Sequence, residues 1–361
     1  MTGQRMLVLE LGGIGDVVMA IPALEAILNH HKDVYIKSLC VHRTLPIIEY
    51  LRNRVNNPFS IESVEIGGWL TKWLNLVRRL RNEQYDTVID LSAIETFWAA
   101  IKRYVFLESL GAHELIGRNT DGRGWGFTKK TSDALFSSEH EVERKLNVAK
   151  LIGADVKEHT PKIEIYESNE KTLNNFLEKG DTPIVGINIG AYRPSRRWPV
   201  DKVITLSRDL LKKMTLKIVF LGGEREKGIL ELISNSFSGR KSSIRIAMNF
   251  PFKTLVSLLK QLSLLITNDT GLMHIGAALN IPMVITFDQN NIYRYHPYMD
   301  KERYILIKKD TNVCPYFRFK HEMEECLKYS CHTQECMSLI TVEEVKEAVQ
   351  KLLSKTRGKS C

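Results

Sequence analysis

The 361 residues exceed one ordinary domain and suit two, and the 43% apolar share supplies a sizeable core. A charge of +9, from 51 Lys+Arg against 42 Asp+Glu, points to an anionic partner: nucleic acid, a phosphorylated small molecule or an anionic membrane face. The cations are dispersed, which excludes a basic tail. The lack of any run of about 18 uncharged apolar residues excludes a membrane-spanning helix. The N-terminal apolar stretch carries Glu10 and Asp16 and lacks a basic leader and cleavage site, so a cytoplasmic chain with mostly reduced cysteines is expected.

In chain order, MLVLEL reads as a buried strand, followed by a helix from about Asp16 to His30 and a strand VYIKSL. IESVEI, a helical WLTKWLNLVRRLRNEQ and a strand DTVIDL come next, and after a mixed region HEVERKLNVAKLIG is an amphipathic helix. The second half repeats the alternation: TPIVGINIG, VITLSRDLLKKM, LKIVFLGG, EKGILELISNSF, LVSLLKQL, SLLITND, GLMHIGAALN and PMVITF. Short β-rich runs separated by helical stretches predict an α/β chain with parallel sheets and crossover helices. The polar stretch between residues 155 and 182 divides it. The expectation is two Rossmann-like doubly wound domains, residues 1–165 and 180–340, facing a central cleft. The terminal stretch 341–361, with its helix TVEEVKEAVQKLLSK, is expected to reach back onto the first domain.

Residues 12–16 read GGIGD at the junction of the first strand and helix. A dinucleotide fingerprint needs a third glycine where Val18 stands, and Asp16 puts a negative charge where phosphates would lie. The plain alternative makes Asp16 a helix cap. The chemical one places a carboxylate at a strand's carboxyl end, ready to take a proton from a substrate hydroxyl, with Gly13 and Gly15 leaving room for that substrate.

In the second half, residues 268–274 (NDTGLMH) end a strand and open a helix whose first N–H groups form an anion site. Thr270 adds a hydroxyl, Gly271 lets a phosphate approach the backbone and His274 lies in the first helical turn; the plain alternative makes Asp269 or Thr270 the helix cap and His274 a surface residue. Arg196 and Arg197, before Trp198-Pro199, suit bidentate phosphate contact. Glu224, after the strand–Gly–Gly turn of FLGGEREKG, is placed to bond ribose hydroxyls or to occupy a helix's first turn. Cys314, Cys326, Cys331 and Cys336 crowd one stretch without C-x2-C spacing, so a structural metal, a disulfide and free thiols stay open.

Together LGGIGDVVMAIPALEAI, HEVERKLNVAKLIGA, GAYRPSRRWP and ITNDTGLMHIGAAL with CMSLITVEEV resemble the ADP-heptose–lipopolysaccharide heptosyltransferases, glycosyltransferase family 9. The resemblance implies a GT-B fold, with acceptor on the first half and nucleotide-sugar on the second. It also implies inverting, cofactor- and metal-independent transfer of a heptose from an ADP-sugar to a lipid-linked or phosphorylated glycan acceptor, with no nucleic-acid partner. Asp16 matches the base. Arg196, Glu224, Asp269, Thr270, Gly271, Leu272 and His274 match donor contacts, and Arg197 stands beside them. Arg118, Arg123, Lys129, Lys130 and Arg144 are candidates for the acceptor's anionic groups, and a lipid-linked acceptor implies contact with the inner membrane's cytoplasmic face. The chain departs from the family at FDQNNIYRYHP, which puts the donor preference in question, and at NFPFKTL. The alternatives are a nucleotide-sugar-binding protein without transferase activity and a family 9 transferase with another donor or acceptor.

Overall fold

The computed structural model describes residues 4–30, 33–65, 70–135, 137–164, 170–178, 180–240, 242–288, 291–309 and 335–357. The chain forms two compact units. One is Met1–Lys162 with Tyr293–Tyr298; the other is Ile163–Ile292 with Met299–Cys361.

The first unit holds a sheet of β1 (Arg5–Glu10), β2 (Tyr35–Val41), β3 (Phe59–Val64), β4 (Thr87–Asp90), β5 (Glu114–Thr120) and β6 (Lys129–Asp133). Its spatial order is β3-β2-β1-β4-β5-β6, all neighbours parallel. The second unit repeats this with β7 (Ile184–Asn188), β8 (Lys217–Gly222), β9 (Ile244–Met248), β10 (Leu264–Asn268), β11 (Met283–Phe287) and β12 (Tyr304–Lys308). Its order, β12-β11-β10-β7-β8-β9, is the same arrangement read from the other edge, again all parallel. Each sheet therefore has one point where strand order reverses, between β1 and β4 and between β7 and β10. Doubly wound sheets bind ligands beyond the strand carboxyl ends at that point.

The central strands are buried because helices cover both faces, and they read as unbroken apolar runs. Met6, Leu7, Val8 and Leu9 of β1 and Leu264, Leu265 and Ile266 of β10 are all buried. In the second unit the helix Val342–Arg357 packs on the helix Val200–Lys213 and on β10–β12. Its Val345, Ala348, Val349, Leu352 and Leu353 are part of that unit's own core, beside Trp198, Leu206 and Leu210. Val342 packs against the same cluster, so the helix's apolar face serves that unit's core.

Three elements lie where the sequence showed no clear period: the helix Phe97–Leu110 and strands β5 and β6. β9 and β12 were also missed. Among the described residues no helix is long and apolar enough to cross a membrane.

Candidate active site

In the first unit β1 ends at Glu10 and the helix Ile14–His30 begins four residues later. Asp16 is the third helical residue, and its Oδ2 accepts the N–H of Gly13 at 2.7 Å. This is the returning half of a capping box: an acid in the first turn satisfies an amide the helix cannot. The turn has to be glycine at position 12, because a Cβ there would meet Asp16 Cβ at 2.4 Å and Cγ at 2.8 Å. A Cβ on Gly13 would lie 3.7 Å from Arg43 Nη2, so a guanidinium from the turn after β2 stands beside the acid's loop.

Beneath this turn runs a chain of buried charges. Glu10 is fully buried; its Oε1 accepts the Gly12 N–H at 3.1 Å and its Oε2 accepts Lys145 Nζ at 2.5 Å. Lys145 also donates to the Leu91 carbonyl, just past β4, at 3.2 Å. One ammonium thus spans the reversal point between β1 and β4. Glu141, one helical turn before Lys145, is ion-paired with Arg118 of β5 and, at 2.7 Å, with Arg294. Burial pushes the Glu141 carboxyl up, but Arg118, Arg294 and Lys145 together hold it well below the usual carboxylate range. Glu10 goes the other way: burial raises it, Lys145 opposes, and the charge of Asp16 adds to the rise. Burial likewise lifts the Tyr295 phenol well above its ordinary value; Arg294 opposes, and Glu141, Glu95 and Asp16 add to the rise.

In the second unit the reversal point is built around Asn268, the last residue of β10. Its Oδ1 accepts the Trp198 N–H at 3.0 Å and the Thr286 hydroxyl at 2.9 Å. Its Nδ2 donates to the carbonyls of Asn188 and Gly190 at 3.3 and 3.1 Å. One amide side chain thereby binds the loop after β7, the RRWP segment and β11. Asn188 donates to the hydroxyls of Thr267 and Thr270 at 2.9 and 3.1 Å, which turns Thr270 to the head of the helix Gly271–Ala278. Arg196 faces two carboxylates, Asp269 at 3.1 Å and Asp288 at 3.2 Å.

The second-half residues expected at a donor site are thus gathered along the carboxyl ends of β7, β8 and β10, though not all in the same state. Arg197 is taken up inside the unit, donating to the Ala191 carbonyl at 3.0 Å and pairing with Glu226 at 2.6 Å. Glu226 in turn accepts the Gly223 N–H at 3.0 Å, so this pair shapes the glycine turn. Glu224 is exposed and accepts from Asn249 at 2.6 Å. Leu272 is half-buried and His274 buried, both in the helix's first turn.

Two acceptor candidates are corrected. Arg118 is fully buried between Asp133 and Glu141, and Arg144 is buried and donates to the Glu139 carbonyl and the Ser137 hydroxyl. Guanidiniums so engaged hold the fold and cannot meet a solute. Arg123 pairs with Asp121 at 3.2 Å in the turn after β5. Lys129 pairs with Glu114 at 2.5 Å. Through β5 and β4 it is level with Val8, three strands and roughly 14 Å to the side of β1. Arg43, Lys145, Asn268 and Asp288 were missed by sequence reasoning; the signal for Asp288 lay in the departing FDQNNIY loop. Cys314, Cys326 and Cys331 lie outside the described residues, while Cys336 is half-buried against the second core. Among the described residues no group of three or more His, Cys, Asp or Glu is arranged to hold a metal.

Comparison with known proteins adds four likenesses. The chain matches Glycosyltransferase family 9 (heptosyltransferase) over residues 73–325. It is similar to lipooligosaccharide heptosyltransferase 2 of Haemophilus influenzae, with 23% identity covering 84% of this chain and 89% of that protein. Its fold matches the E. coli ADP-heptose lps heptosyltransferase II at a TM-score of 0.73 and 19% identity, covering 98% of this chain and 100% of that one. The E. coli heptosyltransferase WaaC with ADP matches at 0.66 and 16%, covering 97% and 100%. At such identities the structural likeness speaks to fold, and that fold is GT-B, two Rossmann-like halves.

Proposed function

Since the chain belongs to glycosyltransferase family 9 and is a glycosyltransferase, we propose that it moves a heptose from ADP-heptose to a lipopolysaccharide inner-core or similar phosphorylated glycan acceptor, with inversion at the anomeric carbon. The observation that carries this reading is the repetition of one architecture with two different fillings. The first unit's reversal point presents a carboxylate, Asp16, and the second unit's presents an arginine and a helix N-terminus. A base and an anion site are what a single displacement from a nucleotide-sugar requires. The names of the similar proteins, which include ADP-heptose and ADP, support this donor.

In this reading an acceptor hydroxyl oxygen attacks the anomeric carbon from the face opposite ADP. The new C–O bond forms as the bond to the β-phosphate oxygen breaks, and the electron pair leaves with ADP. Asp16 takes the hydroxyl proton. A carboxylate is a weak base at neutral pH, so transfer falls late, when the oxygen has already lost its basicity. Arg196 and the first amides of the helix Gly271–Ala278 meet the charge growing on ADP, a role that leaves no step for a metal. Thr270, Gly271, Leu272 and His274 line that helix head, and Glu224 faces the ribose. Asp269 and Asp288 hold the Arg196 plane and are themselves acceptors for sugar hydroxyls. Gly13 and Gly15 leave room for the acceptor, and Arg43, Arg123 and Lys129 are the cations for its anionic groups. A lipid-linked acceptor brings the enzyme into passing contact with the cytoplasmic membrane face.

A panel of nucleotide-sugars tests the reading, scored by thermal shift and by mass-detected transfer to an inner-core acceptor. Stabilisation and product with ADP-heptose are expected. Stabilisation by ADP-heptose without product would favour a binding protein, and product from another nucleotide-sugar alone would move the donor assignment.

A further inference from the structure

We infer that Glu10 and Lys145 are positioning residues for Asp16, setting the backbone on which that carboxylate is aimed. The inference rests on the base role of Asp16 and extends it to two residues that touch no substrate.

The geometry is a relay of single contacts. Glu10 closes β1 and is wholly buried, yet both its oxygens are used: one holds the Gly12 amide at 3.1 Å, the other holds Lys145 at 2.5 Å. The next amide, Gly13, holds Asp16 at 2.7 Å. Two carboxylates thus grip two successive amides of one turn. The volume above Gly12 that a side chain would fill is filled by Asp16 itself. Any rotation of the Gly12–Gly13 peptide therefore moves the Asp16 side chain directly. Glu10 resists that rotation, and Lys145, bonded at once to Glu10 and to the Leu91 carbonyl, fixes Glu10 against β4.

Chain economy alone does not call for such an arrangement. A buried ion pair is weak evidence for stability, since apolar residues of similar volume often fill the space as well. A buried charge pair that terminates on the turn bearing the reacting carboxylate instead makes sense as a means of holding one orientation. The cost of losing it belongs to kcat: misplacement of a reacting group by about 1 Å is worth on the order of 100-fold in rate.

The test replaces both charges together, so that neither is left buried alone. Glu10→Leu/Lys145→Met removes the grip on Gly12. Glu10→Gln/Lys145→Met keeps a neutral oxygen for that amide. The first is expected to lower kcat by on the order of 10- to 100-fold with the donor KM within about twofold. The second is expected to recover part of that loss, because the Gly12 amide regains an oxygen while the tie through Lys145 to the Leu91 carbonyl stays lost. Should the leucine variant not fold, Glu10→Asp, which draws the oxygens back by one methylene, carries the same expectation at about threefold to tenfold. Parent-like kcat in a folded leucine variant, or in Glu10→Asp, overturns the inference. So does an equal loss in both double variants, which would mark the pair as structural only. Asp16→Ala run alongside separates the two readings. Near-normal turnover there removes the base role and this inference with it, whereas abolished turnover beside an unaffected Glu10 series removes only the latter.

Discussion

The side-chain oxygen of Asn268 accepts the backbone N–H of Trp198 at 3.0 Å, across 70 residues of chain, and joins the end of β10 to the segment that carries Arg196. The same side chain makes three further hydrogen bonds, so its removal strands buried donors and acceptors on three segments. Each such group costs about 1–3 kcal/mol when left unpaired. Asn268→Leu should therefore lower the unfolding midpoint of the second unit by several degrees and weaken ADP binding, measured by calorimetry. Asn268→Asp, which sets a charged oxygen against the Asn188 and Gly190 carbonyls in a buried site, should cost at least as much.

Arg196 stands between Asp269 and Asp288. Arg196→Ala leaves two carboxylates facing each other where a diphosphate is expected, so ADP affinity should drop by on the order of 100-fold, consistent with loss of a charge-assisted bidentate contact. Arg196→Lys should recover only part of it, because an ammonium is a point charge without the planar fork. Titration calorimetry with ADP checks both. Equal affinity in parent and alanine variant would remove Arg196 from the donor site.

Asp16→Asn preserves an oxygen for the Gly13 amide and removes the base. Turnover is expected to fall by about 100-fold or more with the fold intact, since general base catalysis contributes roughly that much. Asp16→Ala should lose the same chemistry and, in addition, about 1 kcal/mol of first-turn capping. Single-turnover transfer read beside thermal unfolding separates these two losses.

Glu141 links acid sensitivity to the first unit. Burial raises its proton affinity, but Arg118, Arg294 and Lys145 outweigh it and hold the folded value below the unfolded 4.5. A depressed carboxylate stabilises the fold above its unfolded value and loses that contribution as pH falls below 4.5 toward the folded one. Glu10, whose folded value is raised, contributes in the opposite sense, favouring the fold below 4.5 and losing that as pH rises. Glu141→Gln takes the buried carboxylate from Arg294 and one of two from Arg118, and should cost about 3–5 kcal/mol at pH 7. The gap between variant and parent should narrow as pH drops below 4.5, followed by urea unfolding across that range.

Much of both sheets was legible because their central strands obey local rules. MLVLEL, SLLITND and PMVITF each carry a run of consecutive apolar residues, as strands covered on both faces do, and the first two are followed by a helical period. β6 was not legible: KKTSD is an edge strand whose side chains are mostly exposed, so no apolar pattern marks it. β5 was hidden by a buried Arg118 and by Gly117, which is glycine because a Cβ would strike the Phe127 ring at 2.4 Å. The helix Phe97–Leu110 displays Phe97 and Trp98 to solvent, and their outward placement erases the amphipathic period.

The sequence by itself determined the two α/β halves, the strand–turn–helix that carries Asp16, and the Asn-Asp-Thr-Gly turn with its helix, since each is set within about ten residues by periodicity and turn chemistry. Only the tertiary structure decided which charges are available at those turns. Arg118 looks like a solvent-facing cation until β6 and the helix Glu141–Lys150 close over it, and Arg144 until its own helix is seated and its guanidinium turns to Glu139 and Ser137. Glu10 and Lys145 stand 135 residues apart and become one unit only when that helix is laid against the sheet. A charge's role depends on its partners and its dielectric surroundings, and both are properties of packing rather than of neighbours along the chain.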